Sequence, residues 1–207
     1  MIATFLSAAR SAASLLHSPA LADAWSKPSA LAEFRVSGLA GHLAGQVTNV
    51  GFFLDSPPLS AEPVIDAVRF YAQQADVDLD SDNARGIRDR SERNAGPAAV
   101  DLALRYDAAV TEIADRLTTM PSDQLVTVWN RWTMPLDQCL LTRVLELVIH
   151  ADDLAVSIGV PTPSFSDEVV DATVTTLARI AVRKRGTVPV LRALSRRERS
   201  DDLATAF

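Results

Sequence analysis

The sequence is poor in cysteine, lysine and aromatic residues. Its 207 residues include one cysteine, Cys139, and aromatic residues make up 6% of the chain. A single cysteine excludes a disulfide framework within the chain, which is typical of proteins kept in a reducing compartment. Few aromatics beside abundant alanine, leucine and valine favour helix over sheet. Only two of the 20 basic residues are lysines, Lys27 and Lys184, an arginine bias typical of GC-rich genomes such as those of actinobacteria.

Long apolar runs and a basic surplus are also missing. No run of apolar residues is long enough to cross a bilayer, and the formal net charge of −6 argues against nucleic-acid binding. The N-terminal residues 1–24 lack the basic start of a secretory signal, and Arg10 interrupts their apolar part. We therefore expect a cytoplasmic protein that binds neither membranes nor nucleic acid. The oligomeric state stays open, with a homodimer among the alternatives.

Apolar residues recur at helical spacing along most of the chain. The stretch QLVTVWNRWTMP, residues 124–135, alternates and predicts a short strand or an extended arm, and the polar stretch 76–97 predicts a loop, with 78–96 as a possible lid. We expect one all-α domain over residues 1–207, a four-helix bundle with elaborated connections. The predicted helices cover about residues 2–25, 37–54, 60–76, 97–120, 135–159 and 166–185, and residues 185–207 form a tail or a short helix.

The stretch LELVIHADDL, residues 145–154, places two ionisable side chains on an otherwise apolar helix. Glu146 and His150 are four residues apart and therefore lie on one face, one turn from each other. They belong to a polar stripe at steps of three or four residues, which is either the solvent face of the helix or one side of a buried site. The stripe comprises Cys139, Arg143, Glu146, His150, Asp153 and Ser157.

A second histidine, His42, lies at the edge of the apolar stripe of an earlier helix. An edge position allows it to face a neighbouring helix, although a histidine with one ordinary hydrogen bond fits the same pattern. Gly38, Gly41 and Gly45 surround it and leave space for another backbone or for a ligand. We expect a pocket at these glycines, with the polar 78–96 stretch closing over it.

Two motifs together resemble the mycothiol-dependent maleylpyruvate isomerase family, whose members are DinB-like metal-binding bundles. They are VSGLAGHLAGQV at 36–47 and MPLDQCLLTRVLELVIHADDLAVSIG at 134–159. The likeness extends to the Trp-x-x-Pro-Ser pattern at Trp25–Ser29 and to VLRALSRR at 190–197. Larger members carry a further C-terminal domain that contributes to substrate binding, and we expect residues 1–207 to lack it. The resemblance therefore implies a fold and a metal site more than it implies a substrate.

The resemblance implies that His42, Glu146 and His150 bind a divalent metal, most often zinc. Three protein ligands leave one position open, as in catalytic zinc sites. Mycothiol is the expected thiol cosubstrate, and a small electrophile is the expected second substrate. We expect Arg143 and Asp153 to take part in cofactor binding, and Asp153 either orients a metal ligand or faces solvent.

Two other functions fit the same residues. One is a metal-dependent hydrolase, in which the same three side chains serve to activate water. The other is a non-catalytic stress protein that binds a metal or a ligand. Cys139 is expected to be a small packing residue, since no base lies beside it in the motif. Trp129 and Trp132, and the arginines of the 76–97 stretch, are expected to be structural or solvated rather than functional.

Overall fold

The protein was analysed as a computed structural model, which describes residues 1–59, 63–74, 79–196 and 198. Most of the described residues are helical, and this confirms the all-α prediction. The helices are α1 (Ile2–Leu16), α2 (Pro19–Ala24), α3 (Val36–Asp55), α4 (Ala67–Ala72), α5 (Asp82–Ala95), α6 (Ala99–Leu117), α7 (Leu136–Ile158), α8 (Asp167–Arg185) and α9 (Thr187–Ser195). The strands β1 (Leu125–Val128) and β2 (Trp132–Pro135) pair as an antiparallel hairpin, with Val126 opposite Met134.

Four long helices form the bundle. α1 packs against α7, α7 against α3, α3 against α6, and α6 against α1, so that each helix contacts two neighbours around one core. Leucine, valine and alanine side chains fill that core, and the aromatic side chains of Phe5, Phe53 and Tyr106 are fully buried in it. α8 covers α7 and α1, and α9 packs on α8.

The ends of α7 follow the predicted signals closely. Pro135 precedes its first residue, where a missing backbone N–H costs nothing. Gly159 follows its last residue with φ +70°, a left-handed conformation that glycine adopts without strain. α8 likewise begins and ends within one residue of the prediction, and a short helix, α9, follows it. The stretch 124–135, predicted as a short strand or an extended arm, contains two short strands that pair as the hairpin.

Two predicted helices have wrong limits, and one predicted N-cap is wrong. The first helix does not run to residue 25, because Pro19 forces Ser18 into an extended conformation and starts a new helix, α2. The third segment is helical only over Ala67–Ala72; residues 60–62 and 75–76 of that prediction lie outside the described residues. Ser37 does not cap α3, which begins one residue earlier; its hydroxyl donates to Glu92 at 2.8 Å instead.

The polar stretch predicted as a loop contains a helix of 14 residues, α5. Its N-terminus is capped by Ser81, whose hydroxyl accepts from the backbone N–H of Ala84 at 3.2 Å. Only Ser91 and Ala95 are fully buried on it, which explains why hydrophobic periodicity did not reveal the helix. Residues 75–78 lie outside the described part of the chain.

α5 packs directly on the glycine face of α3. A Cβ atom built at Gly41 would lie 2.1 Å from the backbone oxygen of Ser91 and 2.7 Å from the nitrogen of Ala95. The absence of a side chain at Gly41 therefore lets the two backbones approach closely. The expected ligand pocket at Gly38, Gly41 and Gly45 is wrong at Gly41, since α5 fills that space.

Candidate metal centre

Side chains from α3 and α7 converge inside the bundle. His42 of α3 and the pair Glu146 and His150 of α7 each offer one ligand atom, and these three atoms lie within 4.8 Å of one another. The side chains of His42 and Glu146 are each 20% exposed and that of His150 is 16% exposed. The polar stripe of α7 is therefore one side of an internal site and not a solvent face.

One oxygen of Glu146 lies between the two histidines. Its Oε2 is 3.4 Å from Nε2 of His42 and 3.2 Å from Nε2 of His150. Ligands of a tetrahedral zinc ion with bonds of roughly 2.0–2.1 Å are separated by about 3.3–3.4 Å. The imidazole rings meet edge to face, with centroids 4.6 Å apart. The two separations from Oε2 thus match those between ligands of one small cation, and all three atoms lie within 4.8 Å of one another.

The other ring nitrogen of each histidine, Nδ1, already has a hydrogen-bond partner. Nδ1 of His150 lies 2.9 Å from the carboxylate of Asp153, and a carboxylate accepts hydrogen bonds, so Nδ1 carries the hydrogen. Nδ1 of His42 lies 3.3 Å from the hydroxyl of Ser91, whose own hydrogen is donated to the Ile87 carbonyl. Nδ1 of His42 is therefore also the donor. When either ring is neutral, the hydrogen on Nδ1 leaves Nε2 as the nitrogen that can bind a metal.

The second oxygen of Glu146 is held from another helix. The hydroxyl of Tyr71, on α4, donates to Oε1 at 2.7 Å and also lies 3.1 Å from the Thr142 carbonyl. Tyr71 is 4% exposed. Oε1 is thus occupied, and Oε2 is the oxygen left for the histidines.

The three titratable groups influence one another strongly. Burial raises the pKa of Glu146, but its contacts with His150 and His42 outweigh burial and hold the pKa well below its usual range. Burial lowers the pKa of His150, but its bonds to Asp153 and Glu146 outweigh burial and raise the pKa to about 9. Burial dominates at His42 and lowers its pKa. Without a metal, the site therefore holds one proton on His150 beside an ionised Glu146.

Asp153 was predicted either to orient a metal ligand or to face solvent, and its position fits the first of these roles. It binds Nδ1 of His150 and is partly buried, which is the place of a residue that orients a ligand. Arg143 is 3% exposed; it donates to Gln46 at 2.5 Å, and its guanidinium carbon lies 5.9 Å from the ring centroid of Phe53. Its contacts are internal, and cofactor binding by Arg143 stays a prediction.

The other sequence candidates lie elsewhere. Cys139 is fully buried, and burial raises the pKa of its thiol to about 11, which fits a packing role. Trp129 packs on Phe53, and Trp132 on Phe70. The third histidine of the chain, His17, pairs with Asp107 at the surface. A groove of about 470 Å³ between α4, α8 and α9 is lined by Arg69, Arg179 and Arg183 and by none of the three converging residues.

Tyr71 and Ser91 are the contacting residues that sequence reasoning did not find. Tyr71 lies within the helix predicted over 60–76, and Ser91 within the stretch predicted as a loop. The connection that follows the Trp25–Ser29 pattern contacts α7, since Ser157 accepts from the backbone N–H of Ala30 at 2.8 Å. Phe34, at the end of this connection, packs its ring against His42 with centroids 5.9 Å apart.

Comparisons with known proteins agree with this site. The family model described as the mycothiol maleylpyruvate isomerase N-terminal domain matches residues 5–155, which include all three converging residues. Searches of curated proteins and of solved structures gave no significant match. Among the described residues, no helix is long and apolar enough to cross a membrane. Because the family model covers well over half of the sequence, the chain belongs to the mycothiol maleylpyruvate isomerase N-terminal domain family.

Proposed function

We propose that this chain is a zinc-dependent thiol transferase or isomerase that activates mycothiol for attack on a small electrophile. One observation carries the proposal: Nε2 of His42, Nε2 of His150 and Oε2 of Glu146 converge inside the bundle, where a cation that displaces the proton of His150 can bind all three. Imidazole nitrogen and carboxylate oxygen are ligand types that zinc takes. The membership of the family supports mycothiol as the thiol.

The donor set favours zinc among the common divalent metals. Two imidazoles and one carboxylate suit zinc, whereas magnesium and calcium prefer ligand sets made of oxygen atoms alone. Three protein ligands are also the usual number in catalytic zinc sites, which keep one position for a substrate. Asp153 holds His150, Ser91 holds His42 and Tyr71 holds Glu146, so the ligands are oriented before any metal binds.

The chemistry requires a thiolate at neutral pH. A free thiol has a pKa of about 8.5 and is mostly protonated there. A bound cation deprotonates a coordinating thiol and so supplies the nucleophile. The chain's own thiol does not serve this purpose, because Cys139 is buried and its pKa is about 11. The nucleophilic sulfur therefore comes from a small molecule.

Two reactions follow from one nucleophile. In conjugation by addition, the thiol loses its proton to solvent and the sulfur forms a bond to an electrophilic carbon of a double bond. The neighbouring carbon then takes up a proton from solvent. In isomerisation, the sulfur adds to a conjugated double bond, the resulting single bond rotates, and elimination returns the thiol unchanged. Both reactions need a thiol that enters the site and an electrophile of modest size.

Metal content tests the site. We expect protein purified without chelator to carry about one zinc per chain, measured by elemental analysis, and His150→Ala to carry little. His17→Ala is the matched control, since His17 is a surface histidine paired with Asp107. Circular dichroism should show that both variants stay helical. Equal zinc in the wild type and in His150→Ala would rule out this site.

Thiol dependence tests the reaction. Turnover of a simple electrophile by zinc-loaded protein is compared without thiol and with glutathione, bacillithiol or mycothiol. We expect a rate that requires thiol and is highest with mycothiol, because the carrier must fit the protein as well as its sulfur. Equal rates in all four reactions would reject thiol transfer and favour the water-activating hydrolase. No turnover by zinc-loaded protein with any thiol would favour a binding protein.

A further inference from the structure

The hydroxyl of Tyr71 determines which oxygen of Glu146 faces the histidines. It donates to Oε1 at 2.7 Å from the side of α4, while Oε2 lies 3.2 Å and 3.4 Å from the two Nε2 atoms. Tyr71 is 4% exposed, so water does not readily replace the hydroxyl. Without it, Oε1 has lost its partner, and the carboxylate is free to rotate.

The hydroxyl of Ser91 determines which nitrogen of His42 is free. Since its hydrogen goes to the Ile87 carbonyl at 2.8 Å, its lone pair accepts from Nδ1 of His42, and the lone pair of the ring stays on Nε2. Ser91 is within reach because Gly41 lets the α5 backbone approach α3. The close crossing of the two helices therefore serves the site as well as the packing.

We propose that Tyr71 and Ser91 are positioning residues for the metal site, with Tyr71 orienting Glu146 and Ser91 fixing the tautomer of His42. This inference rests on the proposed metal binding. Neither residue is a ligand; each acts through a ligand from a separate helix. Hydrogen-bond partners of metal ligands typically contribute about 10- to 100-fold to metal affinity.

The variants Tyr71→Phe and Ser91→Ala test the two roles. Each has a matched control of the same chemistry away from the site. Tyr106 is buried and its hydroxyl donates to the Ala9 carbonyl at 2.8 Å, so Tyr106→Phe removes a comparable bond. Thr173 is buried and donates to the carbonyl four residues earlier, as Ser91 does, so Thr173→Val controls for that loss.

The readouts are cobalt affinity, from competition with a chromophoric chelator, and the visible absorption of bound cobalt, which reports ligand geometry. We expect Tyr71→Phe and Ser91→Ala each to bind cobalt at least about tenfold more weakly than the wild type. Their cobalt spectra should also be altered. The two controls should match the wild type in affinity and spectrum.

The outcomes separate this inference from the proposed function. A wild type that binds no cobalt rejects the metal site itself. A wild type that binds cobalt, with a variant within twofold of its affinity, overturns the inference for that residue and leaves the metal site standing. Equal losses in a variant and its control, or loss of the native near-ultraviolet circular dichroism, also overturn it, because they assign the hydroxyl to the fold.

Discussion

His42 and His150 share one glutamate but differ in their electrostatic surroundings. His150 has two carboxylates within 3.2 Å, those of Glu146 and Asp153, and its pKa is raised to about 9. Burial dominates at His42, and its pKa is lowered. At neutral pH one ring is charged and the other neutral, so a metal ion has to displace one proton and not two.

This asymmetry predicts a pH dependence of metal binding. The proton on His150 competes with the metal below pH 9, the value to which its pKa is raised. Zinc affinity should therefore rise with pH by up to tenfold per unit between about pH 7 and 9 and then level off. Calorimetry in buffers of different ionisation enthalpy should show release of about one proton at pH 7. Release of none, or a flat affinity across this range, would contradict the assignment of the proton.

The sequence did not reveal the residues that hydrogen-bond to the three candidate metal ligands. Glu146 and His150 were singled out by their helical spacing on an apolar helix, and the resemblance of both motifs to a metal-binding family joined His42 to them. Tyr71 and Ser91 have side chains that occur in any helix, and their roles depend on which atoms α4 and α5 bring to the histidines and the glutamate. The spacing of residues within one helix does not predict which side chains of distant helices will meet. These two roles could therefore be identified only from the structure.

Among the elements, α5 buries few residues, Ser91 and Ala95, and polar bonds also attach it to α3. The side chain of Asn94 donates to the Gly41 carbonyl at 2.6 Å, and Glu92 accepts from Ser37 at 2.8 Å. The register of α5 on α3 is therefore set by hydrogen bonds around one glycine.

Gly41→Ala should disturb this crossing. The new methyl group would meet backbone atoms of α5 at 2.1 Å and 2.7 Å, and backbone cannot move aside as a side chain end can. We expect a loss of about 1–3 kcal/mol in the free energy of unfolding, typical of overpacking, measured by urea denaturation. Zinc affinity should fall as well, since Ser91 would move away from His42.

Gly86→Ala is the matched control within α5. Its Cβ would meet only the end of the Arg90 side chain, at 3.4 Å. Alanine is the better helix former by about 0.5–1 kcal/mol, so this variant should be slightly more stable than the wild type. Equal effects of the two substitutions would show that the α3–α5 crossing is not tight at Gly41.

Sequence reasoning succeeded where an element carries its own boundary signals. α7 lies between Pro135 and Gly159, and its apolar faces repeat at helical spacing, so its limits were predicted correctly. α5 was missed because its composition is that of a loop and its helical state depends on the Ser81 cap and on docking against α3. The break at Pro19 was passed over because the apolar stripe continues on both sides of it.

At the scale of the molecule, the fold is expected to stand without the metal. The core of the described residues is continuous and apolar, and it includes side chains from α1, α3, α6 and α7. A metal that binds the native state at 100 times its dissociation constant adds about 2.7 kcal/mol to the free energy of unfolding. For a chain of this length that corresponds to roughly 5–10 °C in the melting temperature.

Thermal melting followed by circular dichroism measures this contribution. We expect protein treated with a chelator to keep its helical signal at 25 °C and to melt below the zinc-loaded form. His150→Ala should melt at one temperature with or without zinc. Collapse of the helical signal on chelation would show that the metal is structural and would contradict a catalytic site on a preformed bundle.

The separation of the site's residues along the chain sets an order of events during synthesis. His42 and Glu146 are 104 residues apart, and His42 and Ser91 are 49 apart. At about 5–20 residues per second, a ribosome delivers Ser91 roughly 2–10 s after His42, and Glu146 roughly 5–20 s after it. For that interval the nascent chain holds one histidine of the site without the other. α5 therefore has time to cover the glycine face of α3 before α7 arrives, and a metal that needs all three residues can bind only after α7 has been made.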